Sequence, residues 1–145
     1  MPEWSGSRVL LRPVRQSDYE WLYSLCQDPA IAVRWRFRGA IPEPADFASS
    51  MTAGVLVQFM VLQRDTKDQL GLVAAYNPNL RDSWVYAAAL ASPRAAKTGL
   101  VLEGLGLLIR YVFQVWPFRK IYFETIEYNL DQFKTFLRYL SMRRD

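Results

Sequence analysis

The strongest constraint on the fold is a long apolar segment, LVLEGLGLLIRYVFQVW, at residues 100–116. We predict one helix over residues 100–115, which Pro117 ends because proline cannot continue a helix. The segment is too short to span a bilayer comfortably, and it carries Glu103 and Arg110. A helix that is apolar on nearly every face has to be buried, so we expect it to pack against a sheet.

The rest of the chain supplies the strands of such a sheet and a few shorter helices. Apolar, β-branched and aromatic residues predict strands at residues 8–14, 55–63, 70–77, 84–91 and 119–127. Helices are predicted at about 18–27, with Ser17 or Asp18 as N-cap, at 43–51, and at 130–140. This order predicts an α+β fold, in which an antiparallel meander is followed by one βαβ unit. Because no linker divides the 145 residues, we expect a single domain over 1–145.

Composition excludes several kinds of chemistry. The chain has no histidine, which removes histidine-based triads and HExxH zinc sites, and we predict no metal site. Cys26 is the single cysteine, and a structural thiol is the favoured interpretation over a nucleophile. The N-terminal residues lack an apolar signal core, so a cytoplasmic location without membrane association is expected. A net charge of +4 suits an anionic partner.

The loop at residues 91–100 joins a predicted strand to the start of the long helix. Unpaired backbone N–H groups and the positive end of the helix dipole collect at such a junction, which favours phosphate binding. Gly99 permits a positive φ, and Arg94 and Lys97 add positive charge. From the residues alone, a turn with solvated basic side chains is an equally good interpretation.

Four segments, taken in this order of elements, carry a family resemblance: RVLLRPVRQSDYEWL, TGLVLEGLGLLIRYVF, WPFRKIYFETIEYN and NLDQF. The sequence resembles the GNAT superfamily of acyl-CoA-dependent N-acyltransferases, especially its ribosomal-protein N-acetyltransferase-like branch. The resemblance implies a mixed, mostly antiparallel central sheet flanked by helices, with acetyl-CoA (coenzyme A) as cofactor. It also implies transfer of an acetyl or short acyl group to a primary amine of a small molecule or peptide, by direct attack in a ternary complex.

In the family, the loop pattern Gln/Arg-x-x-Gly-x-Gly/Ala grips the coenzyme A diphosphate with backbone amides. Gly99 matches the central glycine and Glu103 a frequent glutamate, whereas Ala96 and Val101 depart from the pattern. Asn129 matches the asparagine that opens the last shared helix. The cofactor-binding residues that the resemblance implies are Leu90, Ala91, Arg94, Lys97, Thr98, Gly99, Leu100 and Asn129.

The catalytic residues are implied less directly. The family tyrosine that protonates the leaving thiolate falls at Phe136, so Tyr128 and Tyr139 are the nearest substitutes. Glu124 and Glu127 are the candidate general bases, and in an ideal strand their spacing of three puts them on opposite faces. These departures keep open a degenerate member that binds coenzyme A or a protein partner without catalysis.

Two further expectations concern partners. Family members continue past the last helix into a β-hairpin, whereas this sequence ends at Asp145. The hairpin is therefore expected to be missing, either because the domain is shortened or because the sequence is cut short, and the strand at 119–127 is expected to be an exposed edge. An exposed edge favours a homodimer. The RWRFR run at residues 34–38 could recognise an acidic acceptor or nucleic acid by charge and stacking. A solvated basic edge with two aromatic anchors is the favoured interpretation, and no recognised motif supports nucleic-acid binding.

Overall fold

The computed structural model describes residues 4–26, 43–96 and 98–123 of the chain. The strands in these ranges are β1 (Trp4–Ser5), β2 (Val9–Pro13), β3 (Val55–Gln63), β4 (Gln69–Asn79), β5 (Trp84–Ala91) and β6 (Lys120–Phe123). The helices are α1 (Tyr19–Cys26), which follows a 3₁₀ turn at Gln16–Asp18, then α2 (Pro44–Ser50) and α3 (Leu100–Val115). The predicted bounds of β3, β5 and α3 are confirmed.

The strands form one sheet in chain order from β1 to β6. Each neighbouring pair from β1 to β5 is antiparallel, whereas β5 and β6 are parallel and α3 connects them. Trp84 lies opposite Lys120 at one end of the parallel pair, and Ala87 lies opposite Phe123 at the other. The predicted α+β fold, with a meander followed by a βαβ unit, is confirmed.

Side chains alternate between the two faces of a strand, so these apolar strands present hydrophobic side chains on both faces of the sheet. Helices cover each face. Sheet residues that pack with α3 on one face include Val9, Leu11, Phe59, Val61, Val73, Val85 and Ala87. Their partners on the helix are Val101, Leu105, Leu108 and Val112, which recur every three or four residues. Burial of the long helix is therefore confirmed along this stripe, while Phe113 and Val115 on its other side are exposed.

The second face carries α1 and α2. Leu10, Met60, Leu62, Leu72 and Leu90 of the sheet pack there with Leu22, Leu25, Phe47 and Met51. Tyr23 and Phe47 join the two helices edge to face, with ring centroids 5.4 Å apart. The two layers hold β2 through β5 between them, so residues 59–62 of β3 and 70–75 of β4 are buried on both faces.

Gly71 of β4 sets the spacing at the end of β5. It lies opposite Ala91, and a Cβ at this position would collide with the carbonyl oxygen of Leu90. The same Cβ would lie 2.9 Å from Cγ2 of Val101 in α3. A residue without a side chain is therefore required where β4, β5 and α3 meet.

One sequence prediction differs from the structure, one strand was not predicted, and three predictions extend into or lie in residues outside the described part. The N-cap prediction at Ser17 or Asp18 is wrong, because the helical segment begins at Gln16 and Arg15 is its N-cap. The short strand β1, which pairs with β2, was not predicted. The predicted strand at 119–127 is confirmed at Lys120–Phe123; its remainder, the helix at 130–140 and the RWRFR run lie outside the described residues.

Candidate functional site

The loop between β5 and α3 is anchored at its first turn. The carbonyl oxygen of Ser92 accepts hydrogen bonds from the N–H groups of Ala95, at 3.0 Å, and Ala96, at 2.9 Å. The side chain of Ala95 is buried in the core that lies under α3. Because these bonds and this contact fix the turn, Arg94 at its apex is held at the surface.

The start of α3 presents unpaired donors. Gly99 adopts a left-handed conformation with φ of 79°, and its carbonyl accepts the first intrahelical hydrogen bond, from Glu103 N–H at 3.1 Å. Thr98 Oγ1 accepts from Leu100 N–H at 3.2 Å. The N–H groups of Val101 and Leu102 precede the first bond of the helical ladder and have no acceptor within the helix. Together with the helix dipole, they make this exposed corner suitable for an anion.

The positive charge beside this corner is partly balanced. The Nη2 atom of Arg94 lies 3.2 Å from Oδ2 of Asp68, in the turn between β3 and β4. Both side chains are exposed, so the pair is weak and the Arg94 guanidinium can turn toward an anion at small cost. Lys97 lies outside the described residues.

The backbone of β5 offers hydrogen-bonding groups next to the loop. Ser92 N–H donates to the carbonyl of Leu70 in β4 at 2.9 Å, and residues of an antiparallel strand alternate in the direction of their backbone groups. Leu90 therefore directs its N–H and C=O toward β4, whereas Ala89 and Ala91 direct theirs toward the β6 side. The described part of β6 ends at Phe123, opposite Ala87, so it pairs with the first half of β5 alone.

Glu103 has a role that the sequence did not indicate. One turn into α3, its carboxylate accepts hydrogen bonds from the N–H groups of Arg8 and Val9, both at 3.1 Å, and from Ser7 Oγ at 3.1 Å. Nε of Arg8 lies 3.3 Å from the same carboxylate. Glu103 thus connects α3 to the turn between β1 and β2, and these two strands lie at the opposite edge of the sheet from β5 and the loop.

The predicted site residues fall into two groups. Leu90, Ala91, Arg94, Thr98, Gly99 and Leu100 lie on one continuous path from the end of β5 to the first residue of α3. Those outside the described residues are Lys97, Glu124, Glu127, Tyr128, Asn129 and Tyr139.

A buried carboxylate lies apart from this path. Asp18 is 2% exposed, and its oxygens accept two hydrogen bonds from Arg12, each at 2.8 Å, one from Arg15 N–H at 2.7 Å and one from Gln69 Nε2 at 3.1 Å. Burial alone raises the pKa of Asp18, but these hydrogen bonds and the charge of Arg12 outweigh it and hold the pKa below its ordinary value. We assign Asp18 a structural role, because its acceptor positions are all occupied.

The fold and the loop together define the class of protein. The acetyltransferase (GNAT) domain family matches residues 8–139, which is most of the chain. The chain therefore belongs to the GNAT acetyltransferase domain family, as the sequence resemblance predicted. The match does not distinguish the ribosomal-protein branch within it. No curated protein sequence is significantly similar to the chain.

Solved structures of low sequence identity share the fold. Spermidine N-acetyltransferase from Vibrio cholerae, solved in complex with CoA and spermine, is 17% identical, with a TM-score of 0.75 over 92% of this chain and 80% of that one. A domain from Methanocaldococcus jannaschii is 16% identical, with a TM-score of 0.78 over 94% of this chain and 88% of that one.

None of the helices in the described part of the chain has the length and apolar character needed to cross a membrane.

Proposed function

We propose that the chain is an acetyl-CoA-dependent N-acetyltransferase that transfers an acetyl or short acyl group to a primary amine. The observation that carries the proposal is the continuous path from the β5 edge, through the loop at residues 92–99, to the unpaired N–H groups of α3. It occurs in a chain that belongs to the GNAT acetyltransferase domain family. The sheet common to all described strands supports the further proposal of one domain over residues 1–145.

The path fits coenzyme A in two parts. The N–H groups of Val101 and Leu102 would hold the diphosphate, and beyond its chain neighbours and its own helix a Cβ at Gly99 would meet no described atom within 4 Å. Arg94 and Lys97 would add positive charge beside the diphosphate, and Asn129 would make a further contact with the cofactor. The backbone groups of Ala91 and Ala89 would hydrogen-bond the amides of the pantetheine arm as a neighbouring strand would. Leu90 would hold Ala89 and Ala91 in position, because its own backbone groups face β4.

Acetyl-CoA bound there would supply a thioester to the amine. The N–H of Ala89, on the β6 side of β5, would donate to the acyl oxygen as negative charge develops on it. We propose that Glu124 or Glu127 accepts the proton of the amine as the C–N bond forms, and that Tyr128 or Tyr139 protonates the sulfur as the C–S bond breaks. No covalent enzyme intermediate is needed. A homodimer and a cytoplasmic location stay predictions.

Replacing Gly99 by alanine is expected to weaken acetyl-CoA binding about tenfold or more, because a side chain is strained at a φ of 79° and relief of this strain would shift the donors of α3. Isothermal titration measures the change, and thiol release with a panel of primary amines measures transfer. Gly54→Ala is the control for the strain of a positive φ, since Gly54 has a φ of 70° and lies between α2 and β3, away from the loop; a Cβ there would also lie 2.6 Å from Oδ1 of Asn77. Equal acetyl-CoA affinities for the two variants would contradict the proposal. So would a wild type that binds acetyl-CoA but releases no coenzyme A thiol with any of the amines.

A further inference from the structure

A groove of about 360 Å³ lies between α1 and the start of β4, on the side of the sheet opposite α3. Ser17, Glu20, Trp21 and Ser24 line one side of it, and Gln69 lines the other. The four helical residues recur every three or four positions, so they share one face of the helical segment. The groove is open to solvent, and its lining shares no residue with the proposed cofactor path.

The Gln69 side chain is held in one orientation beside the groove. Its Nε2 atom donates to Oδ1 of Asp18 at 3.1 Å, and a carboxylate can only accept, so this contact identifies the nitrogen of the amide. Asp18 is itself fixed by its two hydrogen bonds from Arg12. Oε1 of Gln69 lies on the other side of the amide and accepts no hydrogen bond within the described part of the chain. It is therefore a positioned acceptor for a ligand.

The α1 side of the groove presents further acceptors. The hydroxyl of Ser24 donates to the carbonyl oxygen of Trp21, and because a hydroxyl has a single hydrogen, Ser24 Oγ can only accept from a ligand. The Glu20 carboxylate also accepts. No lysine or arginine in the described ranges lies within 4 Å of it, whereas Asp18 is paired with Arg12. The groove thus combines a surplus of acceptors with a negative charge that these residues leave unbalanced.

Trp21 adds an aromatic ring to these acceptors. Its side chain is half-buried and packs against the apolar cluster under α1 and α2, so the ring is held in place. Tryptophan attracts an ammonium group within about 6 Å of its ring centre more strongly than other aromatic residues do. The dipole of α1 opposes a cation near its first turn by about 0.3–1 kcal/mol. A ligand therefore has to gain from the ring and the neutral acceptors as well as from Glu20.

We infer that this groove binds an organic ammonium ion, which donates its N–H groups to the acceptors and packs its apolar body against Trp21. The site goes beyond the proposed function, because it lies apart from the point of acyl transfer. Val73 pairs with Ala89, and Gln69 precedes Val73 by four residues, which is about 13 Å along β4. Binding in the groove is reversible and needs neither coenzyme A nor a chemical step.

NMR titration of the full chain at pH 7 with benzylammonium, and with benzyl alcohol as the neutral counterpart of similar size, tests the inference. We expect benzylammonium to shift the indole N–H signal of Trp21, which the Trp21→Leu variant identifies. Its Kd should be at least about fivefold lower than that of benzyl alcohol, because only the charged ligand gains from Glu20 and from the ring quadrupole.

Glu20→Gln isolates the contribution of the charge. The variant should raise the Kd of benzylammonium about fivefold and leave that of benzyl alcohol unchanged. Glu43→Gln is the matched control, since Glu43 is also an exposed carboxylate at the start of a helix, in this case α2. It should change neither affinity.

Equal affinities for the charged and the neutral ligand, or an undiminished affinity for benzylammonium in Glu20→Gln, would overturn the inference. So would shifts by benzylammonium that are confined to β5 and α3 and leave the Trp21 indole unchanged. Acetyl-CoA provides a separate measurement, because it should shift the backbone signals of Gly99 and Leu100 instead. If those signals do not move, the proposed function fails and the ammonium site is unaffected.

Discussion

Replacing Gly71 by alanine is expected to lower the free energy of unfolding by at least about 3 kcal/mol. The added Cβ would collide with the carbonyl oxygen of Leu90 and lie 2.9 Å from Val101 Cγ2. Neither neighbour can move freely, because that carbonyl belongs to the ladder between β4 and β5 and Val101 is buried under α3. Urea denaturation followed by far-UV circular dichroism measures the change.

Gly106→Ala is the matched control for this variant. Gly106 lies within α3, and a Cβ there would meet no atom within 4 Å. Alanine favours a helix interior over glycine by up to about 1 kcal/mol, so the same substitution should stabilise the protein here. A Gly71→Ala protein that loses less than about 1 kcal/mol would show that β4 and β5 are not packed as described.

Asp18→Ala should have an effect of similar size, about 3–5 kcal/mol, on the free energy of unfolding. The substitution removes the carboxylate beside the Arg12 guanidinium, whose side chain is only 12% exposed. It also removes the acceptor for Arg15 N–H and Gln69. Asp68→Ala breaks the exposed pair with Arg94 and should cost no more than about 1 kcal/mol. Equal losses in the two variants would contradict the burial of the Arg12 pair.

The pKa of Asp18 gives this prediction a pH dependence. Because the pKa is lower in the folded than in the unfolded protein, the stabilisation is complete above the ordinary carboxyl pKa. It is lost as the pH falls below about 4, through the folded-state pKa. Acid unfolding of Asp18→Asn should therefore show a smaller pH dependence than that of the wild type, and an unchanged dependence would assign the effect to other carboxylates.

The regular elements were largely predictable because their signals are local. Alternating or continuous apolar runs bounded by turn residues gave the bounds of β3 and β5, and Gly99 and Pro117 bracketed α3. The left-handed conformation of Gly99 at the start of that helix is one that the sequence permitted but did not require. Local patterns did not give β1, which has two residues and is defined by its pairing with β2.

Contacts between distant parts of the chain could not be predicted in this way. Glu103 accepts hydrogen bonds from residues 94–96 positions away, and nothing in its own neighbourhood indicates them. Aspartate is a residue type that often caps helices, which is why Asp18 was predicted as an N-cap. The approach of Arg12 and Gln69 makes it a buried ion-pair partner instead. Whether Leu90 or its neighbours direct their backbone groups toward the β6 side depends on strand register, which a run of alanines does not specify.

The central claim is that the β5 edge and the start of α3 bind acetyl-CoA. Thermal unfolding of the full chain with acetyl-CoA and with S-acetylpantetheine, which lacks the diphosphate, tests it most directly. A ligand bound by the folded state stabilises it by mass action, by about 2.7 kcal/mol at one hundred times Kd. We predict a clear rise in Tm with acetyl-CoA and a much smaller one with S-acetylpantetheine. No rise at millimolar acetyl-CoA, or equal rises with the two ligands, would contradict the claim.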